Sequence, residues 1–141
     1  MKKRRNKPFL RGLLLLLLLS SCNKAPMNGP LDGMWQLMEI TRADGEKIDV
    51  KAEQRYYCVQ LRLLSFVKTG SCLFLGRFVY NGDSLLIHDV RIYFSEERLA
   101  SKEALWPFGM SDVSEHFAVE EITCSRMVLK SEHATLGFRK Y

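Results

Sequence analysis

Residues 72–94 read CLFLGRFVY-NGD-SLLIHDVRIYF. An Asn-Gly pair supplies the positive φ that a tight hairpin turn requires, and the flanking residues alternate between apolar and polar with period two. The stretch predicts two antiparallel strands, Cys72–Tyr80 and Ser84–Phe94, joined at Asn81-Gly82-Asp83. The same pattern extends both ways along the chain. Upstream, Lys68-Thr69-Gly70 turns the chain out of a strand from Tyr56 to Ser65, with Tyr57, Val59, Leu61 and Leu63 on one face. Asp44-Gly45 is a hairpin dipeptide between Trp35–Thr41 and Lys47–Val50. Downstream, Phe117, Val119 and Ile122 precede a turn at Thr123–Arg126; Met127 and Leu129 then alternate with Val128 and Lys130, and a turn at Ser131–His133 leads into Ala134, Leu136 and Phe138. Only Glu96 to Leu105 reads as helical, ended by Pro107 and Gly109. The expectation is an all-β domain of about eight strands with one short helix in the long connection Ser95–Ser114. Short connections and the need to remove sheet edges favour a small up-and-down antiparallel barrel over a sandwich. The long connection would then cross or lid one end.

Charge divides the chain unevenly. Lys2, Lys3, Arg4, Arg5, Lys7 and Arg11 precede Cys22 and no acid does, so of 21 Lys+Arg only 15 remain beyond it, against 16 Asp+Glu. The alkaline pI belongs to this leader, and no nucleic-acid partner is expected. A basic segment, seven leucines at Leu13–Leu19 and then Ser20-Ser21-Cys22 form a secretory signal over residues 1–21. The apolar run is far shorter than the ~20 residues that cross a bilayer. Leu19-Ser20-Ser21-Cys22 resembles a bacterial lipobox, which implies lipidation of Cys22 and a membrane partner held through acyl chains. Asn23-Lys24 after the cysteine lacks the aspartate of the best-known inner-membrane retention rule, so that resemblance implies a periplasm-facing anchor in the outer membrane. Residues 22–30, with two prolines and a glycine, read as a tether, and residues 31–141 as the barrel domain.

Two further stretches resemble a family. Leu31-Asp32-Gly33-Met34-Trp35 looks like the Gly-x-Trp opening of lipocalin-like barrels, and Met127 through Tyr141 looks like the closing strands of small lipocalin-like lipoproteins of Gram-negative envelopes, most of them domains of unknown function. The resemblance implies that Gly33 and Trp35 are structural and that Trp35 lies across one barrel end. It also implies that Arg139, in the last strand, stacks over Trp35 as a cation–π partner worth ~0.5–2 kcal/mol.

Little in the sequence points to catalysis or a cofactor. His88, His116 and His133 sit in separate elements without a partner at metal-ligand spacing, and there is no Cys-x-x-Cys, so no metal is expected. No nucleophile elbow or Gly-rich phosphate cradle occurs. Adjacent Glu120 and Glu121 in a strand point apart, and Glu96 and Glu97 suit the first turn of the expected helix. The protein is expected not to be an enzyme. If Lys68–Gly70 centres the turn, Cys58 and Cys72 lie far apart along their strands, and no disulfide is expected between them.

A binding role rests on aromatic residues. Trp35, Tyr57, Phe74, Phe78, Phe117 and Phe138 are expected to face inward, where they either line a pocket for a small hydrophobic molecule or fill a solid core. Leu105-Trp106-Pro107-Phe108-Gly109-Met110 is expected to plug the barrel mouth. The leading expectation is binding of a small hydrophobic or amphipathic ligand by Trp35, Tyr57, Phe74, Phe78, Trp106 and Phe108. The alternative is a solid barrel that docks on another envelope protein. An apolar cavity under the plug would favour the first; a filled interior with an exposed apolar patch would favour the second.

Overall fold

The computed structural model describes residues 26–141; the leader, Cys22 and the start of the tether lie outside them. Ten strands form: β1 Gly33–Arg42, β2 Lys47–Asp49, β3 Arg55–Gln60, β4 Leu63–Lys68, β5 Ser71–Tyr80, β6 Ser84–Ile92, β7 Ser95–Leu99, β8 Glu115–Ile122, β9 Arg126–Lys130 and β10 Ala134–Lys140. Eight of them close an antiparallel barrel in the order β1-β3-β4-β5-β6-β8-β9-β10, with β10 returning to pair with β1 from Trp35↔Lys140 to Arg42↔Ala134. The short β2 pairs with β1, and β7 pairs with β6. Each barrel strand neighbours the next barrel strand in sequence, so the architecture is the expected up-and-down meander. Bulges at Leu37/Glu39, Phe66/Val67, Leu75/Arg77 and Val119/Glu121 bend the sheet so that it closes.

The Asp44-Gly45, Thr69-Gly70 and Asn81-Gly82 turns form where the sequence places them, with Gly45, Gly70 and Gly82 at positive φ. Asn81 Oδ1 accepts from the amides of Asp83 (3.1 Å) and Ser84 (2.8 Å), which starts β6. Inward alternation holds along the strands: Tyr57 and Val59 on β3, Leu64 and Phe66 on β4, Leu85 and Ile87 on β6, Met127 and Leu129 on β9, and Leu136 and Phe138 on β10 are all buried.

The expected strand from Tyr56 to Ser65 is in fact two. The chain reverses at Leu61-Arg62, and β3 and β4 pair from Arg55↔Lys68 to Gln60↔Leu63. Leu61 takes φ 57°, a left-handed conformation ordinarily left to glycine or asparagine. Leu61 and Leu63 therefore leave the face of Tyr57 and Val59 and are exposed. The expected helix from Glu96 is also corrected. Residues 95–99 pair with β6 as β7, so Glu96 and Glu97 lie in a strand hairpin. Helix remains only as α1, Lys102–Leu105, started by Ser101, whose Oγ accepts from the Ala104 amide at 3.2 Å. The helix ends at Leu105, where expected, just before Trp106-Pro107. Pro107 itself sits inside a 3-10 turn, Trp106–Phe108, which ends at Gly109 with φ 83°.

The fold also reaches into the expected tether. Gly29–Leu31 forms a 3-10 turn, Asn28 Nδ2 donates to Asp32 Oδ1 (2.6 Å) and to the Leu61 carbonyl (2.7 Å), and Leu31 is fully buried.

Candidate functional site

The two barrel ends are built differently. At the closed end, Trp35 lies buried across the opening, and its Nε1 donates to the Leu31 carbonyl at 2.8 Å. The cation over its ring is Lys140, with Nζ 4.7 Å from the ring centroid. Arg139 does not stack there; its Nη2 donates to Gln36 Oε1 at 2.8 Å. The reason is strand parity. Phe138 points inward, so Lys140, two residues on, shares its face, whereas Arg139 points out. Lys140 Nζ also donates to the Asp32 carbonyl at 2.6 Å. Its side chain passes directly under Gly33, where a Cβ would come within 2.7 Å of Lys140 Cε and where φ is 125°.

The other end is the mouth, and the connection between β7 and β8 folds into it. Leu105, Phe108 and Met110 are buried, while Trp106 remains 59% exposed, so three of the four large apolar residues of the expected plug enter the barrel and one stays outside. Phe108 reaches an aromatic cluster at the barrel centre. Its ring centroid lies 5.5 Å from Phe66, 6.1 Å from Phe74 and 6.5 Å from Tyr57. Tyr57 also packs edge-on to Phe66 and Phe138, each at 4.8 Å.

Three polar hooks from the barrel hold the plug. Tyr57 Oη donates to the Phe108 carbonyl at 2.6 Å, Arg55 Nη1 donates to the Pro107 carbonyl at 2.9 Å, and buried Glu115 Oε2 accepts from the Ser111 amide at 2.6 Å. Burial, and then the nearby Glu115 carboxylate, push the Tyr57 phenol well above its ordinary range, so it stays a neutral donor. The sign of the pH dependence follows: the contribution is intact below the unfolded tyrosine pKa of about 10, and above it the unfolded chain gains by ionising while the folded chain cannot. Tyr57→Phe is expected to cost about 1–3 kcal/mol at neutral pH through the unpaired Phe108 carbonyl, and to flatten the loss of stability above pH ~10. Urea titrations at pH 7 and at alkaline pH check both.

The candidate ligand residues are therefore only partly assembled. Tyr57, Phe74 and Phe108 come together, but as packed core. Trp35 belongs to the closed end, and Phe78 is half-buried against the core. Phe117 and Phe138 are buried core residues as well. Of the named residues Trp106 is the one that lines a groove at the mouth. It walls this groove of about 700 Å³ and supplies most of its apolar surface; the nearly buried Ile40, Met110 and Ala134 form the floor, and Arg42, Asp44 and His133 the polar rim. These rim residues come from the β1–β2 and β9–β10 turns, which an up-and-down meander places at the same end as the plug. Phe66, at the centre of the aromatic cluster, was hidden by the misread strand from Tyr56.

The outer wall carries two thiols. Cys58 lies opposite Ser65 on β4, and Cys72 opposite Val67 on the other edge of the same strand. They are separated by an intervening strand rather than by distance along a hairpin, and two strand spacings, about 9.5 Å, exceed the reach of a disulfide. Burial raises both thiol pKa values, and for Cys72 a hydrogen bond with Ser65 acts in the opposite direction.

Comparison with known proteins agrees with this architecture. A lipocalin-like protein from Bacteroides uniformis is 27% identical and superposes with a TM-score of 0.62 over 80% of this chain and 100% of its own. An uncharacterized protein from Bacteroides eggerthii is also 27% identical, with a TM-score of 0.58 over 78% of this chain and 98% of its own. No curated protein matches the sequence. The lipocalin-like domain family matches residues 17–141. Together with the closed eight-stranded barrel, that match over most of its length makes this chain a member of the lipocalin-like domain family.

Proposed function

We propose that the protein is a non-enzymatic, lipid-anchored envelope lipoprotein that binds a small amphipathic molecule in the groove at the barrel mouth. Lipocalin-like barrels typically bind small hydrophobic ligands, and here the interior is taken by the protein's own Phe108. The observation that carries the reading is Trp106: a large aromatic held by a 3-10 turn, left 59% exposed, and set beside Ile40, Met110 and Ala134. A hydrocarbon portion would lie chiefly against the Trp106 ring, over a floor of nearly buried Ile40, Met110 and Ala134, and its polar end would meet Arg42 or His133. The anchor reading rests on the leader and on Cys22, which would carry the acyl chains, with Asn23-Lys24 supporting an outer-membrane, periplasm-facing address.

The test is native mass spectrometry of the full chain, matured in an envelope-bearing host, followed by solvent extraction of any retained molecule. Trp106→Ala is expected to weaken binding of that molecule at least tenfold, equivalent to about 1.4 kcal/mol, with little change in Tm because the ring is outside the core. Equal affinity of Trp106→Ala and the parent would refute the groove. The acyl mass on Cys22, lost in Cys22→Ser, tests the anchor separately.

A second reading, an interaction module, has its own support. The β6–β7 hairpin tip presents Phe94, 86% exposed, beside Tyr93, and the filled interior suits a barrel that works through its surface. A clean apo mass, with a protein partner lost in Phe94→Ser, would favour it.

A further inference from the structure

The closed end of the barrel carries a feature that neither core packing nor the mouth groove uses. At the β3–β4 reversal, Leu61 adopts φ 57° while its side chain is 61% exposed. A leucine there gives up backbone comfort without gaining burial; asparagine or glycine would serve the turn better. Asn28 Nδ2 bonds the Leu61 carbonyl at 2.7 Å, which brings the chain at the preceding residue, Met27, 62% exposed, to the same end. Leu63, 48% exposed, continues the apolar tip, and exposed Arg62 adds a cation that enters no ion pair among the described residues. The acids at this end are largely engaged. Asp32 is held by Asn28, and Glu121 pairs with Arg126 at 3.3 Å; Asp83 sits in the β5–β6 turn.

The chain's path says what meets this tip. Asn28 is fixed to the closed end, and only six residue steps separate it from Cys22, at most about 20 Å when fully extended. The barrel wall is longer than that: ten-residue strands such as β1 and β5, tilted as barrel strands are, give a height of about 25 Å. If Cys22 carries acyl chains, the bilayer surface lies within reach of the closed end first. We propose that the Met27/Leu61–Leu63 tip inserts shallowly into that lipid surface, with Arg62 at the headgroup phosphates, so that the barrel stands on its closed end and the Trp106 groove faces away from the membrane. A narrow convex tip of two or three apolar side chains suits the headgroup–acyl boundary. It does not suit a protein interface, which takes roughly 800 Å² per partner. The inference rests on the lipid-anchor reading above and adds the docking face and orientation.

The test uses the full, acylated chain in vesicles of phosphatidylethanolamine with a quarter phosphatidylglycerol, their acyl chains brominated to quench nearby tryptophan. Because Trp35 lies at the closed end, the variants are made in a Trp35→Phe background, whose one tryptophan, Trp106, marks the mouth and is expected to lose almost no emission. Leu61→Trp is expected to lose about half of its added emission, as befits a ring at the headgroup–acyl boundary. Arg62→Trp repeats the measurement from the neighbouring exposed position should the first variant fold poorly. Flotation and the acyl mass are read in the same samples. Acylated, floating protein whose added tryptophan is unquenched overturns the docking face alone. Quenching of Trp106 in the Trp35→Phe background overturns the orientation, putting the mouth and its Phe94 tip against the lipid. A chain that gains no acyl mass and does not float overturns the anchor, and this inference with it.

Discussion

Phe108→Ala is expected to destabilise the domain by about 3–5 kcal/mol, lowering its melting temperature by roughly 10–20 °C for a domain of this size. Phe108 is 2% exposed and sits between rings contributed by three different strands, Tyr57 on β3, Phe66 on β4 and Phe74 on β5. Those strands are fixed in a closed ladder and cannot move together to fill the space. The plug cannot collapse inward either, because Arg55 and Tyr57 hold the carbonyls on either side of the missing ring. The substitution therefore leaves a cavity rather than a repacked core, and its cost should sit in the upper part of the range for such changes. The cavity would be apolar and dry, the kind of void that takes a benzene-sized molecule. Thermal melts with and without toluene read both effects: a large fall in Tm, partly restored by the ligand. A loss below about 1 kcal/mol, too small for a buried phenylalanine, would mean that the plug swings out freely and that Phe108 is a gate rather than core.

That result also bears on where the ligand of the proposed function would sit. A barrel that must expel Phe108 to admit a guest loses the aromatic contacts and all three plug hooks, so the guest has to offset several kcal/mol before it binds at all. The Trp106 groove carries no such cost, being open with the plug in place. The same segment thus closes the interior and supplies the wall of the outer site. Gly109 is the joint between these roles: its φ of 83° turns the chain back to bury Met110, and a side chain there would strike Leu136.

What the sequence made legible divides along physical lines. Hairpins closed by Asp44-Gly45, Thr69-Gly70 and Asn81-Gly82 could be read because the turn residues themselves supply the positive φ. The Leu61-Arg62 turn could not, since a leucine at positive φ gives no local signal and the apolar alternation runs straight through it. Loss of that one turn hid β4, and with it Phe66. β7 was illegible for a different reason. Ser95-Glu96-Glu97-Arg98-Leu99 has helix-favouring composition and becomes a strand only because β6 offers it a free edge, at Arg91↔Leu99 and Ile92↔Ser95. At the closed end the family resemblance pointed to Arg139; the alternation of Leu136 and Phe138 puts Lys140 rather than Arg139 on the inner face, and barrel closure then sets it over Trp35. The mouth groove is assembled from Ile40, Arg42, Met110 and His133, residues distant in sequence, and so depends on closure of the barrel rather than on any motif.

Trp35→Ala is the other large effect, about 3–5 kcal/mol for the buried ring alone, and more is expected here because the indole organises its surroundings. Its Nε1 is the hydrogen-bond partner of the Leu31 carbonyl, and its face receives Lys140. Without the ring, that buried carbonyl is unpaired, at a cost of about 1–3 kcal/mol, and the cation–π contact of about 0.5–2 kcal/mol disappears. Leu31 then loses the surface it packs on, and the 3-10 turn that ties the chain's entry to the barrel loses its seat. Against a total stability of about 5–15 kcal/mol for a small domain, the variant is expected to be largely unfolded near 37 °C, as far-UV circular dichroism would show. Trp35→Phe separates the contributions. It keeps most of the apolar volume and gives up the hydrogen bond, so a cost of about 1–3 kcal/mol is expected, with the barrel intact. That variant also leaves Trp106 as the only tryptophan, so its emission during ligand titration would report the mouth groove without contribution from the closed end. Were Trp35→Phe as damaging as Trp35→Ala, the hydrogen bond to Leu31 rather than the packed ring would be what closes the barrel.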